Sequence, residues 1–107
     1  MVRRSYNAVI ERNVEWKGDF ATEPYEAAWA SEAIFFIESL KGSGKESVAM
    51  VQISANGMKW CDEGTTVTLP EDGKTTFCKV AQFGGWLRLV GNAKSPLKVL
   101  VTLSLKE

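Results

Sequence analysis

Four groups of side chains in this 107-residue chain have types that could do chemistry: the acidic pairs Asp62-Glu63 and Glu71-Asp72, the thiols Cys61 and Cys78, the loop Gly42-Ser43-Gly44-Lys45, and the tryptophans Trp16, Trp29, Trp60 and Trp86. Two carboxylates at one place could divide general acid and base work, or hold calcium if a third loop supplied further oxygens. Neighbouring residues on a strand point to opposite faces, however, and both pairs lie at the edges of loops, so they read as solvated turn charges. The sequence contains no histidine. The commonest general base, the usual partner of a nucleophilic thiol and the usual companion of cysteine in a zinc site are therefore all missing, and the two cysteines have no C-x-x-C spacing. A phosphate-binding loop needs a glycine five positions before Gly44, where Ser39 stands, and a Ser or Thr after the lysine, where Glu46 stands. Gly42 to Lys45 is thus expected to be a flexible hairpin tip, and Gly84-Gly85, with no helix pattern after it, is no nucleotide cradle. The expectation is a chain that is not an enzyme, with no catalytic residue, metal or cofactor.

Tryptophan is the one feature that suggests recognition, because protein interfaces and sugar-binding surfaces both use large rings as anchors. Trp16, Trp29 and Trp60 fall on faces that read as buried. In Trp86-Leu87-Arg88-Leu89-Val90, Leu87 and Leu89 point one way, which leaves Trp86 and Arg88 together on the outer face. This pair is the candidate binding site, for a partner subunit or a ligand, with the alternative that Trp86 tucks under a glycine loop.

The elements that must position these groups read as strands. Asn56-Gly57 inside Val48 to Gly64 is the strongest short hairpin signal, since a two-residue type I′ turn needs positive φ at both positions. Such a turn sets Ala55 against Met58 and Ile53 against Trp60, making Trp60 a core anchor. Residues 65–69 and 75–80 are rich in β-branched and aromatic side chains and flank Pro70-Glu71-Asp72-Gly73, which reads as the type I turn of a second hairpin. Leu97 to Lys106 puts aliphatic side chains on its odd positions, and residues 86–90 are bounded by Gly84-Gly85 and Gly91-Asn92. Asn13 to Lys17 alternates with Val14 and Trp16 inward and stops at Gly18-Asp19. Residues 25–40 are ambiguous: Tyr25, Ala28, Trp29, Ala33, Phe36, Ile37 and Leu40 form a helical stripe, yet Ile34-Phe35-Phe36-Ile37 is a dense β-prone run. Because every neighbour reads as a strand, Ala30 to Leu40 is expected to be β, with a helix of up to four turns as the alternative. Seven to nine short strands with turn signals at regular spacing are expected to make one all-β domain, an antiparallel β-sandwich of jelly-roll type.

Composition sets the outer bounds. Apolar residues make up 45% and charged residues 24% of the chain, with 13 basic and 13 acidic side chains. A nucleic-acid partner usually demands a basic excess on one face, and the only basic cluster is Arg3-Arg4, which reads as a solvated terminus. No segment has the apolar core of a signal peptide or the length of a membrane span, so no membrane partner is expected and a cytoplasmic location is the default. Two buried free thiols fit that compartment; a Cys61–Cys78 disulfide is the alternative if the strands carrying them approach.

The order Val51-Gln52-Ile53-Ser54, Asn56-Gly57, Trp60 and then Trp86-Leu87-Arg88-Leu89 resembles a strand, Ser-x-Asp-Gly-x-x-Trp, strand, x-x-Leu-Arg pattern of small β-sandwich modules. Two groups share it over a stretch matching residues 48–105 here: the discoidin or coagulation-factor type carbohydrate- and lipid-binding module, and short jelly-roll proteins among phage and phage-like particle components. Asn56 stands where the pattern has Asp, which keeps the turn but removes a ligand carboxylate. The discoidin type is longer and secreted, so the resemblance implies a particle component: a structural subunit of a homo-oligomer or larger assembly, acting through self-association. A glycan- or small-ligand-binding module is the alternative.

Overall fold

The computed structural model describes residues 4–107, and Arg3 of the terminal basic pair lies outside them. The chain forms seven antiparallel strands and no helix among these residues: β1 (Ser5–Ala21), β2 (Tyr25–Glu26), β3 (Glu32–Lys41), β4 (Val48–Ser54), β5 (Cys61–Thr68), β6 (Thr75–Ala81) and β7 (Trp86–Lys106). Their order is β5-β4-β7-β3-β6, with β1 and β2 also pairing on β7. This is the expected all-β antiparallel sandwich, in a form close to a closed barrel.

Its organiser is the 21-residue strand β7, which serves two layers. Residues 98–106 pair with β3 and residues 86–91 pair with β4. Strand β1 follows it on the other side, pairing first with residues 97–106 and, after a register shift between Trp16 and Gly18, with residues 90–93. One layer is therefore β6-β3-β7-β1, built on the C-terminal half of β7, and the other is β5-β4-β7 with β2 and the end of β1. Alternation does the rest: Phe35, Ile37, Val51, Leu87, Leu89, Leu97, Val99, Val101, Leu103 and Leu105 are all directed inward and fully buried, a set whose transfer from water supplies the main driving force for folding. The odd-numbered aliphatics of residues 97–105 behave as their alternation predicts.

Several boundaries differ from the sequence reading. Neither Gly18-Asp19 nor Gly91-Asn92 ends a strand. Both lie inside long strands at the bend where the β1–β7 ribbon passes from one layer to the other. Trp16 and Phe20 stack across that bend, centroids 3.8 Å apart and planes within 8°. A Cβ on Gly91 would sit 2.6 Å from the Val48 carbonyl oxygen and 2.8 Å from the Phe20 ring, so this glycine serves close packing and not a turn. Residues 25–40 do not form the helix; β3 occupies the β-prone run.

The second hairpin is also overturned. Strands β5 and β6 stand at opposite ends of the strand order, and the chain between them crosses from one layer to the other. The cause is where the backbone bonds go. Leu69 N–H donates to the Ser47 carbonyl and Gly44 N–H to the Pro70 carbonyl, at 2.9 and 2.7 Å, while Leu69 and Pro70 are buried. The turn itself begins at Glu71 and not at Leu69, closed by Lys74 N–H to Glu71 O at 2.9 Å. By the same bonds, Gly42 to Lys45 is not a hairpin tip, because β3 and β4 are separated by β7; it is an arch pinned under residues 69–70.

The cysteines are both free, and the expectation of two buried thiols holds only for Cys78; Cys61 is exposed on an edge strand. Burial pushes the Cys78 thiol up to about 11, the Glu63 carboxylate adds to this, and a hydrogen bond from the Phe35 backbone opposes it. The proximity of Glu63 on β5 to Cys78 on β6 marks where the two end strands approach. The native state keeps this proton up to about pH 11, whereas the unfolded chain releases it from about pH 9. Cys78 therefore supports the fold below pH 9, and that contribution falls away as pH rises toward 11. Titration with a thiol reagent at pH 8 is expected to modify one cysteine rapidly in the native protein and the second only on unfolding. Rapid loss of both thiols without denaturant would contradict this placement.

Candidate functional site

The Trp86–Arg88 face lies on the outside of the β5-β4-β7 layer, where the burial of Leu87 and Leu89 places it. Register puts Arg88 beside Gln52, and Gln52 beside Asp62, in one cross-strand row. Arg88 Nε donates to Gln52 Oε1 at 2.8 Å, and Gln52 Nε2 donates to Asp62 Oδ1 at 2.9 Å. The guanidinium lies 4.3 Å from the centroid of Trp60, a cation–π geometry that contributes about 0.5–1 kcal/mol at an exposed site. Trp60, read from sequence as a core anchor, is half-buried on this outer face, and so is Trp29 elsewhere. Only Trp16 of the three sits in the core.

The reason is the turn. The β4–β5 hairpin exists, but its loop runs over residues 55–60, and Ile53 pairs with Cys61 instead of Trp60. Only Gly57 has positive φ, at 77°. Asn56 is held out of the left-handed region by its neighbours: Ser54 Oγ accepts the N–H groups of Asn56 and Gly57, and Asn56 Oδ1 accepts those of Met58 and Lys59, all at 2.8–3.2 Å. Side-chain to backbone bonds of this kind compete with a tight turn. The lengthened loop curls over the outer face, with Gly57 against the Trp86 indole, where an added Cβ would meet ring atoms at 3.1 Å. Met58 is left at its tip, 82% exposed. This face offers a guanidinium, two indoles and a thioether. It holds no nucleophile with an activating base, and no group of three metal-ligating side chains occurs among the described residues.

A second surface escaped the sequence reading. On the outer face of the β6-β3-β7-β1 layer, Phe77, Phe36, Thr102 and Val9 form one cross-strand row. The phenyl rings of Phe36 and Phe77 meet at 6.0 Å. Ile34 and Leu100 flank that row, Leu40 is exposed in the bulge beyond Glu38, and Phe77 itself is 56% exposed. Glu38 lies one step along the strands from the aromatic row and Lys79 one step the other way. The signal was present in sequence: once residues 32–41 are a strand, burial of Phe35 and Ile37 forces Ile34, Phe36 and Leu40 outward. The helical stripe had assigned Phe36 and Leu40 to the core.

No protein-family model matches the chain, and no curated protein matches it. Solved structures do. The SPBc2 prophage-derived protein YomS superposes over 100% of this chain and 96% of its own, with a TM-score of 0.65 at 7% identity. A chain in the structure of infectious bursal disease virus, Gx strain, matches 97% of this chain with a TM-score of 0.54 at 10% identity, and this chain spans only 32% of its length. Likeness at such identities is one of fold: this chain shares the all-β architecture of these two structures.

Proposed function

We propose that this chain is a non-enzymatic structural subunit that associates with copies of itself into a homo-oligomer or a larger particle. The observation that carries this reading is the Phe36–Phe77 row with its flanking aliphatics, because soluble monomers rarely leave a contiguous apolar patch of this kind in water. A second copy suits it. A two-fold axis running across the strands at the aromatic row brings the Glu38 side of one copy over the Ile34 and Lys79 side of the other, so the rim charges are complementary to themselves. With 13 charges of each sign, copies carry no net charge to repel one another. The prophage and viral origins of proteins with this fold support the same reading. Trp86 and Arg88, on the opposite layer, are the proposed second contact.

Light scattering combined with electron microscopy of one sample tests this. Phe77→Asp is expected to weaken association about thirtyfold or more, as loss of a central aromatic anchor does, and Trp86→Ala to limit the size of the assembly. A strict monomer at high concentration, unchanged by either substitution, would defeat the proposal.

A further inference from the structure

The two layers splay apart beside β2, and the opening is lined by Arg4, Ser5, Tyr6, Tyr25 and Trp29. Its volume is about 370 Å³, within the range of small-molecule sites. Each wall has a structural cause. Tyr6 shares the inward face of β1 with buried Ala8, and Tyr25 pairs with buried Leu87; the two phenols therefore meet across the gap where the layers no longer touch. Burial first, then the neighbouring Tyr6 and Glu26, push the Tyr25 phenol above its ordinary value, so it stays a neutral hydroxyl. Tyr6 is 55% exposed and presents an uncovered ring.

Arg4 sets the electrostatics. Its guanidinium lies 4.5 Å from the Trp29 centroid, and its Nε and Nη2 donate to Glu107 Oε2 at 3.1 and 3.0 Å. The backbone holds this arrangement in place, with Glu107 N–H donating to the Arg4 carbonyl at 2.9 Å. Its charge is thus balanced by a carboxylate, while Nη1 has no partner among the described residues and is a directional donor. Paired in this way at an exposed site, the guanidinium offers a charged ligand of either sign little net attraction. A neutral ligand with an apolar face and a ring of hydroxyls matches both halves of the lining: C–H groups against the uncovered Tyr6 ring beside Trp29, and hydroxyls to Arg4 Nη1 and the two phenols.

From this geometry we infer that the cleft between Tyr6, Tyr25 and Trp29 is a binding site for one neutral sugar ring, complete within a single chain and independent of self-association. The sequence reading placed a ligand platform at Trp86 on the outer face of β7; the cleft lies close by but on the inward side, where Tyr25 pairs with buried Leu87.

The test is NMR titration of the native 107-residue chain, following the indole N–H signals of the four tryptophans, with glucose, galactose and N-acetylglucosamine as neutral probes and glucuronate as the charged one. A saturable shift of the Trp29 signal by at least one neutral sugar is expected, weakened roughly tenfold by Tyr6→Ala and unaffected by Trp86→Ala. Tyr6 is exposed enough for that variant to fold, and Tyr25→Phe, which removes one hydroxyl while keeping the ring, is expected to weaken binding as well. The inference is overturned if none of the neutral probes shifts Trp29 at concentrations on the order of 50 mM, if only glucuronate does, if shifts are confined to Trp60 or Trp86, or if Tyr6→Ala binds as the native chain does. Sedimentation of the same samples reports self-association separately, so either idea can fail alone.

Discussion

Phe35→Ala is expected to cost about 3–5 kcal/mol of stability and to lower the melting temperature by roughly 10–20 °C, while the adjacent Phe36→Ala costs far less. Phe35 is fully buried in the middle of β3, paired with Cys78 on one side and Leu103 on the other, and Leu103 is fully buried too. Truncation leaves a cavity among strands that cannot move inward, because β3 is held on both edges. Phe36 points out, and its main contact is the half-exposed ring of Phe77. A helical segment would reverse the order, since Phe36 and not Phe35 falls on the apolar stripe of the helix. Urea unfolding of the two variants decides: a larger loss for Phe36→Ala would remove the strand assignment and the outer aromatic row with it.

A loss of about 3 kcal/mol is expected from Gly44→Ala, the upper end for one inserted methyl group. An added Cβ would sit 2.3 Å from Leu69 Cβ and 3.1 Å from the Pro70 carbonyl oxygen. Neither neighbour is the free end of a flexible side chain, so the arch or the crossing segment must shift, and the 2.7 Å bond from Gly44 N–H to Pro70 O goes with it. The sign of this effect discriminates between topologies. In an exposed hairpin tip the same change restricts the unfolded chain and raises stability by about 0.4–1 kcal/mol. Equilibrium unfolding of Gly44→Ala that shows a gain would contradict the pinning of residues 42–47 beneath residues 69–70.

Both predictions turn on what local sequence can and cannot encode. Side-chain alternation is local, so the inward odd positions of residues 97–105, the strand in residues 32–41 and the outward direction of Trp86 and Arg88 were legible. Strand partners are not local. Pro70-Glu71-Asp72-Gly73 has good turn chemistry, but the bonds of Leu69 and Pro70 to the residue 44–47 arch send the chain across to the other layer. Glycine carried two meanings that spacing does not separate: Gly91 reads as a strand end, yet it lies mid-strand because Phe20 and the Val48 carbonyl leave no room for a side chain. At the candidate site the error came from the Asn56-Gly57 signal. A serine two residues before Asn56 and the Asn56 side chain itself redirect four N–H groups, lengthening the loop and moving Trp60 from the core to a stack with Arg88. The outer aromatic row was hidden by the helical stripe, and the cleft between Tyr6, Tyr25 and Trp29 by distance, since Arg4 and Glu107 meet only when β1 and β7 pair.

Sedimentation velocity across a dilution series, run on the native chain and on Phe77→Asp side by side, tests the central claim most directly. The account predicts that the native chain sediments as a concentration-dependent multiple of its 11.8 kDa mass and that Phe77→Asp, folded and with a near-native melting temperature, sediments as a monomer at the same concentrations. A native chain that stays monomeric throughout, or an assembly that Phe77→Asp leaves intact, would contradict self-association through the Phe36–Phe77 face.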